Sequence, residues 1–146
     1  MKPVRTWIVI VDAARARVVE QVGKGKPLKA VDGFSLETEL KPTHEIVSDR
    51  AGRNFGDFPR HTFDPKTDAH RLEKRRFVEQ VVAMLDEQAP ADAFDRLVLV
   101  APPKALGDLR SALTPRLAAV VHAELSKDLT KTPDHDLMSH LEDVLM

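Results

Sequence analysis

The chain contains no cysteine. That absence excludes disulfides, thiolate zinc sites and a thiol nucleophile, and with them the disulfide-stapled secreted domains and the cysteine hydrolases. A reducing, cytoplasmic setting is the expectation. Long hydrophobic runs are missing as well. The longest, Trp7 to Val11 and Leu97 to Pro103, fall far short of the roughly 20 apolar residues that cross a bilayer, so no membrane span is expected. The opening MKPVRTWIVIVDAAR puts bases before an apolar stretch, but Asp12 and Arg15 cut that stretch too short for a secretion signal. We read the chain as mature from its first residue. Charge of one sign is lacking overall, since 22 bases against 23 acids leave −1, and nothing global draws the molecule to nucleic acid or membrane.

What is present fits one ordinary domain over residues 1–146, with 42% hydrophobic and 31% charged residues. A chain of this length buries roughly two-thirds of the surface it exposes when unfolded, so its core needs no covalent staple. The charge is segregated. Residues 1–31 hold seven bases against two acids, or +5, whereas residues 120–146 hold two bases against six acids, or −4. The basic lobe suits phosphates or an acidic partner, or lysines that block pairing at strand edges.

Apolar residues on both parities of Arg5–Asp12 describe a central strand covered on both faces. Asp12-Ala13-Ala14 is a short link to an alternating strand over Arg15–Val22, and Gly23-Lys24-Gly25-Lys26-Pro27 turns the chain into a third strand, Leu28–Leu36, weakened by Gly33. Residues 37–67 have neither period and carry Pro42, Gly52, Gly56, Pro59 and Pro65, so they read as one long irregular excursion of the kind that is usually functional or disordered. A helix is expected from Asp68 on, with Leu72, Phe77, Val78, Val81, Val82 and Leu85 on its buried stripe, Thr67 or Asp68 as cap and Pro90 beyond its end. Phe94–Ala101 reads as a buried strand parallel to the first. Lys104–Leu113 is a short helix, Leu117–Leu125 a last strand or helix, and Pro133–Leu145 a terminal helix. The expected fold class is α/β: a single domain with a mixed β-sheet, an antiparallel three-stranded meander plus a parallel strand, flanked by helices.

The richest stretch for chemistry is Ser48 to His61. Arg50, Arg53 and Arg60 offer planar donor forks for phosphate, Gly52 lets backbone approach a ligand, and Phe55 and Phe58 can stack on unpaired bases or pin the loop to the core. No phosphate loop ending in Gly-Lys-Ser/Thr is present. His44, His61, Asp64, Asp68 and His70 are metal-ligand types without a recognised spacing, and no metal or cofactor is expected. The basic start of the long helix, Arg71-Leu72-Glu73-Lys74-Arg75-Arg76, forms a solvated face with i,i+4 partners or faces phosphate. No serine sits in a Gly-x-Ser-x-Gly elbow. For a two-metal nuclease the central strands supply Asp12 alone, because the parallel strand ends in Ala101-Pro102.

Four stretches taken in order carry a resemblance. Trp7-Ile8-Val9-Ile10-Val11-Asp12-Ala13-Ala14-Arg15-Ala16-Arg17-Val18, Ser48-Asp49-Arg50-x-Gly52-Arg53-x-Phe55, Arg60-His61 and Lys127-Asp128-Leu129-Thr130 resemble a bacterial family known as "protein required for attachment to host cells". That family is similar to the middle domain of archaeo-eukaryotic peptide-release factors, which implies a ribonuclease H-like fold. In release factors the long excursion carries Gly-Gly-Gln. Here it reads Ala51-Gly52-Arg53-Asn54, and Gly-Gly-Gln occurs nowhere in the chain. The expectation is therefore a non-catalytic binding domain. Arg50, Gly52, Arg53, Asn54, Phe55, Arg60 and His61 form its anion- or nucleic-acid-binding set, with RNA or the ribosome as partner. The alternatives are a translation-rescue hydrolase of peptidyl-tRNA ester that uses Asn54 in place of the tripeptide, and a factor that acts in host attachment directly or indirectly.

Overall fold

One strand, β1 (Arg5–Val11), decides the architecture. Every residue from Thr6 to Val11 is buried, on both parities, so this strand requires a neighbour along each edge and a layer over each face. The computed structural model, which describes residues 3–38, 65–90 and 92–145, supplies all four. β2 (Arg15–Val22) pairs antiparallel along its whole length, from Arg5 opposite Val22 to Val11 opposite Ala16. On the other edge lies β5 (Arg96–Ala101), parallel to β1, with β6 (Val121–Ser126) parallel beyond it. The short strands β3 (Lys29–Ala30) and β4 (Leu36–Glu37) both pair with the outer edge of β2, so the sheet runs β3-β2-β1-β5-β6.

Parallel neighbours need crossovers. α1 (Pro65–Gln88) delivers the chain to β5, α2 (Pro103–Ala112) and the single turn α3 (Pro115–Ala118) deliver it to β6, and α4 (Asp134–Leu145) follows. The two faces of the sheet make two cores. Trp7, Val9, Val11, Leu97 and Leu99 pack with Phe77, Val81 and Leu85 of α1 and Leu106 and Leu109 of α2. Ile8, Ile10, Val98 and Val100 pack with Leu137, Leu141 and Leu145 of α4. This is the mixed, ribonuclease H-like sheet that the sequence leads one to expect.

Polar contacts fix the corners. Trp7 lies edge-on to Phe34 at 4.9 Å and tilted against Phe94 at 4.8 Å, while its indole N–H donates to Glu20 Oε2 at 2.8 Å. α1 has no base in its own last turn. Arg116 of α3 provides one from outside, donating to the Asp86 carbonyl and carboxylate and to the Ala89 carbonyl, which satisfies acceptors that a helix end leaves open.

Four expectations need correction. The third strand is two pieces, because Gly33 takes a left-handed φ of 86° and Phe34 N–H turns back to the Val31 carbonyl. α1 starts at Pro65 rather than Asp68, since proline is pre-organised for a first helical position. Thr67 and Asp68 therefore lie inside it rather than at its cap. Leu72 is exposed. Nine residues before Val81 is two and a half turns, the opposite side of the helix. Finally, Leu117 and Ala118 belong to α3, where Pro115 starts a turn capped by the Thr114 hydroxyl, and the last strand begins only at Val121.

Neighbouring positions on α2 predict opposite effects. Leu109 is fully buried, and Leu109→Ala should cost about 2–5 kcal/mol. A Cβ at Gly107 meets nothing within 4 Å, so Gly107→Ala should stabilise by about 0.5–1 kcal/mol. Urea denaturation of the two variants measures both signs.

Candidate functional site

At the carboxyl end of β1 the chain must reverse within three residues. Asp12 performs this: its Oδ1 accepts the Ala14 N–H at 2.8 Å and the Arg15 N–H at 2.7 Å, an Asx-type turn that joins β1 to β2. Its second oxygen faces the far end of the chain. The Thr130 hydroxyl stands 2.8 Å from Asp12 Oδ2 and 2.8 Å from Asp128 Oδ1, and Asp128 Oδ1 also accepts the Thr130 N–H at 3.2 Å. A hydroxyl has one proton to give, so it donates to one carboxylate at a time. The loop after β6 is thereby tied to the hairpin after β1, across 118 residues of sequence.

Beside this tie lies a cleft of about 620 Å³ at the carboxyl ends of the parallel strands. Ala13 and Ala14 floor it, Pro102, Pro103 and Ala105 form one side, and Val78 of α1 the other. Small and ring-closed side chains leave the space open. Arg71 and Lys74 project from α1 and Lys104 from α2, all three exposed and lining the cleft. None of the three has an ion pair or hydrogen bond among the described residues. Asp12, Asp108 and Asp128 supply the acids. Above the Pro102 side begins α2, whose N-cap offers no side-chain acceptor and whose first turn holds no acid. Its leading amides and the positive end of its dipole therefore lack a side-chain cap or a first-turn acid among the described residues.

The arrangement is one for holding charge. Among the described lining residues there is no serine, histidine or other nucleophile–base pair, and no group of three His, Asp or Glu gathers as a metal site among the described residues.

A family described as "Protein required for attachment to host cells" matches residues 7–141. The chain belongs to that family. An uncharacterised protein of Rickettsia prowazekii (strain Madrid E) is 26% identical over 130 residues, covering 85% of this chain and 83% of the relative. Among solved structures, the archaeal translation termination factor aRF1 superposes with a TM-score of 0.51 at 13% identity, over 95% of this chain and 39% of that one. A ParM protein gives 0.53 at 9% identity, over 98% and 48%. The chain spans less than half the length of these two solved chains, and identities this low speak for the fold alone.

Within this host-attachment domain, two of the four stretches that carry the family resemblance meet in space: Asp12 of the first and Asp128 and Thr130 of the last. The sequence separates them by more than a hundred residues, and only the parallel placement of β1 and β6 around β5 unites them. The expected binding set, Arg50, Gly52, Arg53, Asn54, Phe55, Arg60 and His61, lies outside the described residues, as do His44 and Asp64 of the metal-type group. The basic start of α1 divides. Arg75 pairs with Glu79 at 3.9 Å on the solvated side, whereas Arg71 and Lys74 face the cleft. Arg15 and Arg17 of the basic lobe are paired, with Glu37 and Asp134. Lys104 was not singled out by sequence reasoning. Its signal was available in the Pro102-Pro103-Lys104 start of a helix directly after a buried parallel strand. No helix among the described residues is long and apolar enough to cross a membrane.

Thr130→Val removes the shared hydroxyl with little change in volume and leaves Asp12 and Asp128 facing across the gap. The expected loss is about 1–3 kcal/mol of unfolding free energy, read as a lower urea midpoint at unchanged slope.

Proposed function

We propose that this host-attachment domain is a non-catalytic binding module that engages an anionic partner, RNA or the ribosome, through Arg50, Arg53 and Arg60. Gly52 and Asn54 permit close approach of backbone, and Phe55 and His61 stack or hydrogen-bond beside the arginines. The observation that carries the reading is where the 39–64 stretch is tethered. Immediately before it, the Thr38 N–H bonds the Ala14 carbonyl on the cleft floor at 2.8 Å. Immediately after it, α1 begins and presents to the same cleft Arg71 and Lys74, which have no partner among the described residues. An arginine-bearing segment joined to a helix whose Arg71 and Lys74 have no partner among the described residues favours an anionic partner over an acidic patch of its own chain.

Two further points support the choice. The chain lacks the Gly-Gly-Gln that release-factor hydrolysis requires, and the cleft offers no nucleophile–base pair among its described residues, so binding is favoured over chemistry. One structural neighbour is by name a translation termination factor, which directs the search toward the translation machinery. The requirement in host attachment then follows from what the domain binds, at one remove from the host surface.

Purified protein is expected to bind ribosomes or ribosomal RNA with an affinity that falls steeply as salt rises, because each phosphate contact releases a counterion. An Arg50→Ala, Arg53→Ala double variant should bind more weakly and reduce the slope of log K against log salt by about two. Salt-independent binding, or no binding to either, overturns the reading.

A further inference from the structure

The cleft has more features than an RNA-facing surface requires. It opens where the chain leaves β1 toward β2 by a tight turn and leaves β5 toward β6 through α2, so the carboxyl ends of β1 and β5 diverge. In open α/β sheets that divergence is where small ligands settle. Its volume, about 620 Å³, lies within the roughly 300–1,000 Å³ of small-molecule sites, many times what a bare phosphate fills.

The lining carries three cations and three acids. Lys104 lies in the first turn of α2, and Lys74 and Arg71 come from α1. These three cations have no partner among the described residues, and an incoming anion supplies one. The acids present differ in how much of their acceptor capacity is used. Asp12 has both oxygens engaged. Asp108 has no partner among the described residues, and Asp128 uses Oδ1 alone. Free carboxylate oxygens call for hydroxyl donors on the ligand. The remaining wall, Ala13, Ala14, Val78 and Pro103, is apolar.

We infer that the cleft is a binding site for a phosphorylated pentose, free or carrying a base. Its phosphate sits on Lys104, Lys74, Arg71 and the first amides of α2. Its sugar hydroxyls donate to Asp108 and Asp128, and the apolar wall receives what remains. All the groups named for the ligand come from residues that line the cleft.

Isothermal titration of the full chain with adenosine 5′-monophosphate, ribose 5-phosphate, adenosine and inorganic phosphate tests this. Binding of the monophosphate or of ribose 5-phosphate is expected, with adenosine and inorganic phosphate each at least about tenfold weaker, the loss of one or two charge-assisted contacts or of the sugar. A preference for the monophosphate assigns the apolar wall to a base, and equal affinities assign the site to the sugar phosphate. Lys74→Ala, Lys104→Ala should weaken binding at least about tenfold. Both lysines are exposed and have no partner among the described residues, so an unaltered thermal midpoint is expected and separates lost binding from lost fold. Absence of binding by both phosphate esters at millimolar concentration, equal binding of inorganic phosphate, or indifference to the lysine variant overturns the inference.

Discussion

Everything in this molecule depends on burying β1 and β5 from both sides. Each is apolar on both parities, and their residues divide between the two cores. A sheet with one wet face would leave half of those side chains in water, at a cost of roughly 1.5–3 kcal/mol for each large one. Helices must therefore lie over both faces: α1 and α2 over one, α4 over the other. Parallel pairing between β1 and β5 follows, because the long α1 crossover returns the chain to the end of the sheet from which β1 started.

That constraint creates the cleft. With both faces covered, the carboxyl ends of the parallel strands are where the chain must leave the sheet, and it does so by different devices. After β1 the Asp12 carboxylate closes a tight turn on small alanines, and after β5 two prolines start α2 at once. Neither exit places a large side chain between the helices. The Thr130 bond to Asp12 and Asp128 then fixes the third strand end against the first, so the cleft has a floor that does not rely on loop packing.

The central strand, the hairpin, the parallel crossover and the terminal helix were all legible in the sequence, because each rests on a local period or a local turn signal. Errors arose where a tertiary or single-residue effect outweighed the pattern. Leu72 looks like core by composition and is solvent-facing by angle. Ala118 suits strand or helix until Thr114 and Pro115 start a turn ahead of it. The site was legible in part. Asp12 and Asp128-Leu129-Thr130 could be noticed as motifs, but no spacing rule predicts that residues 12, 128 and 130 share one hydroxyl bridge. That contact is a property of strand order. Lys104 escaped notice because one lysine after two prolines carries no periodic signal at all.

The arginines show most clearly how structural and functional charge separate. Arg17 reaches Asp134 and the Leu129 and Thr132 carbonyls, Arg96 bonds Thr6, His122 and the Leu145 carbonyl, and Arg116 closes the end of α1. Each joins elements that are distant in sequence through donors directed to acceptors of the chain itself, with Arg17 Nε alone of the buried side-chain polar atoms among the described residues left without a partner. Arg71, Lys74 and Lys104 join nothing among the described residues. The fold would be served as well by glutamine at those three positions, with less mutual repulsion between them. Where the cations that hold the structure together reach acceptors on distant elements, cations that are grouped around a cavity without a partner among the described residues mark the place where an anion from outside supplies one.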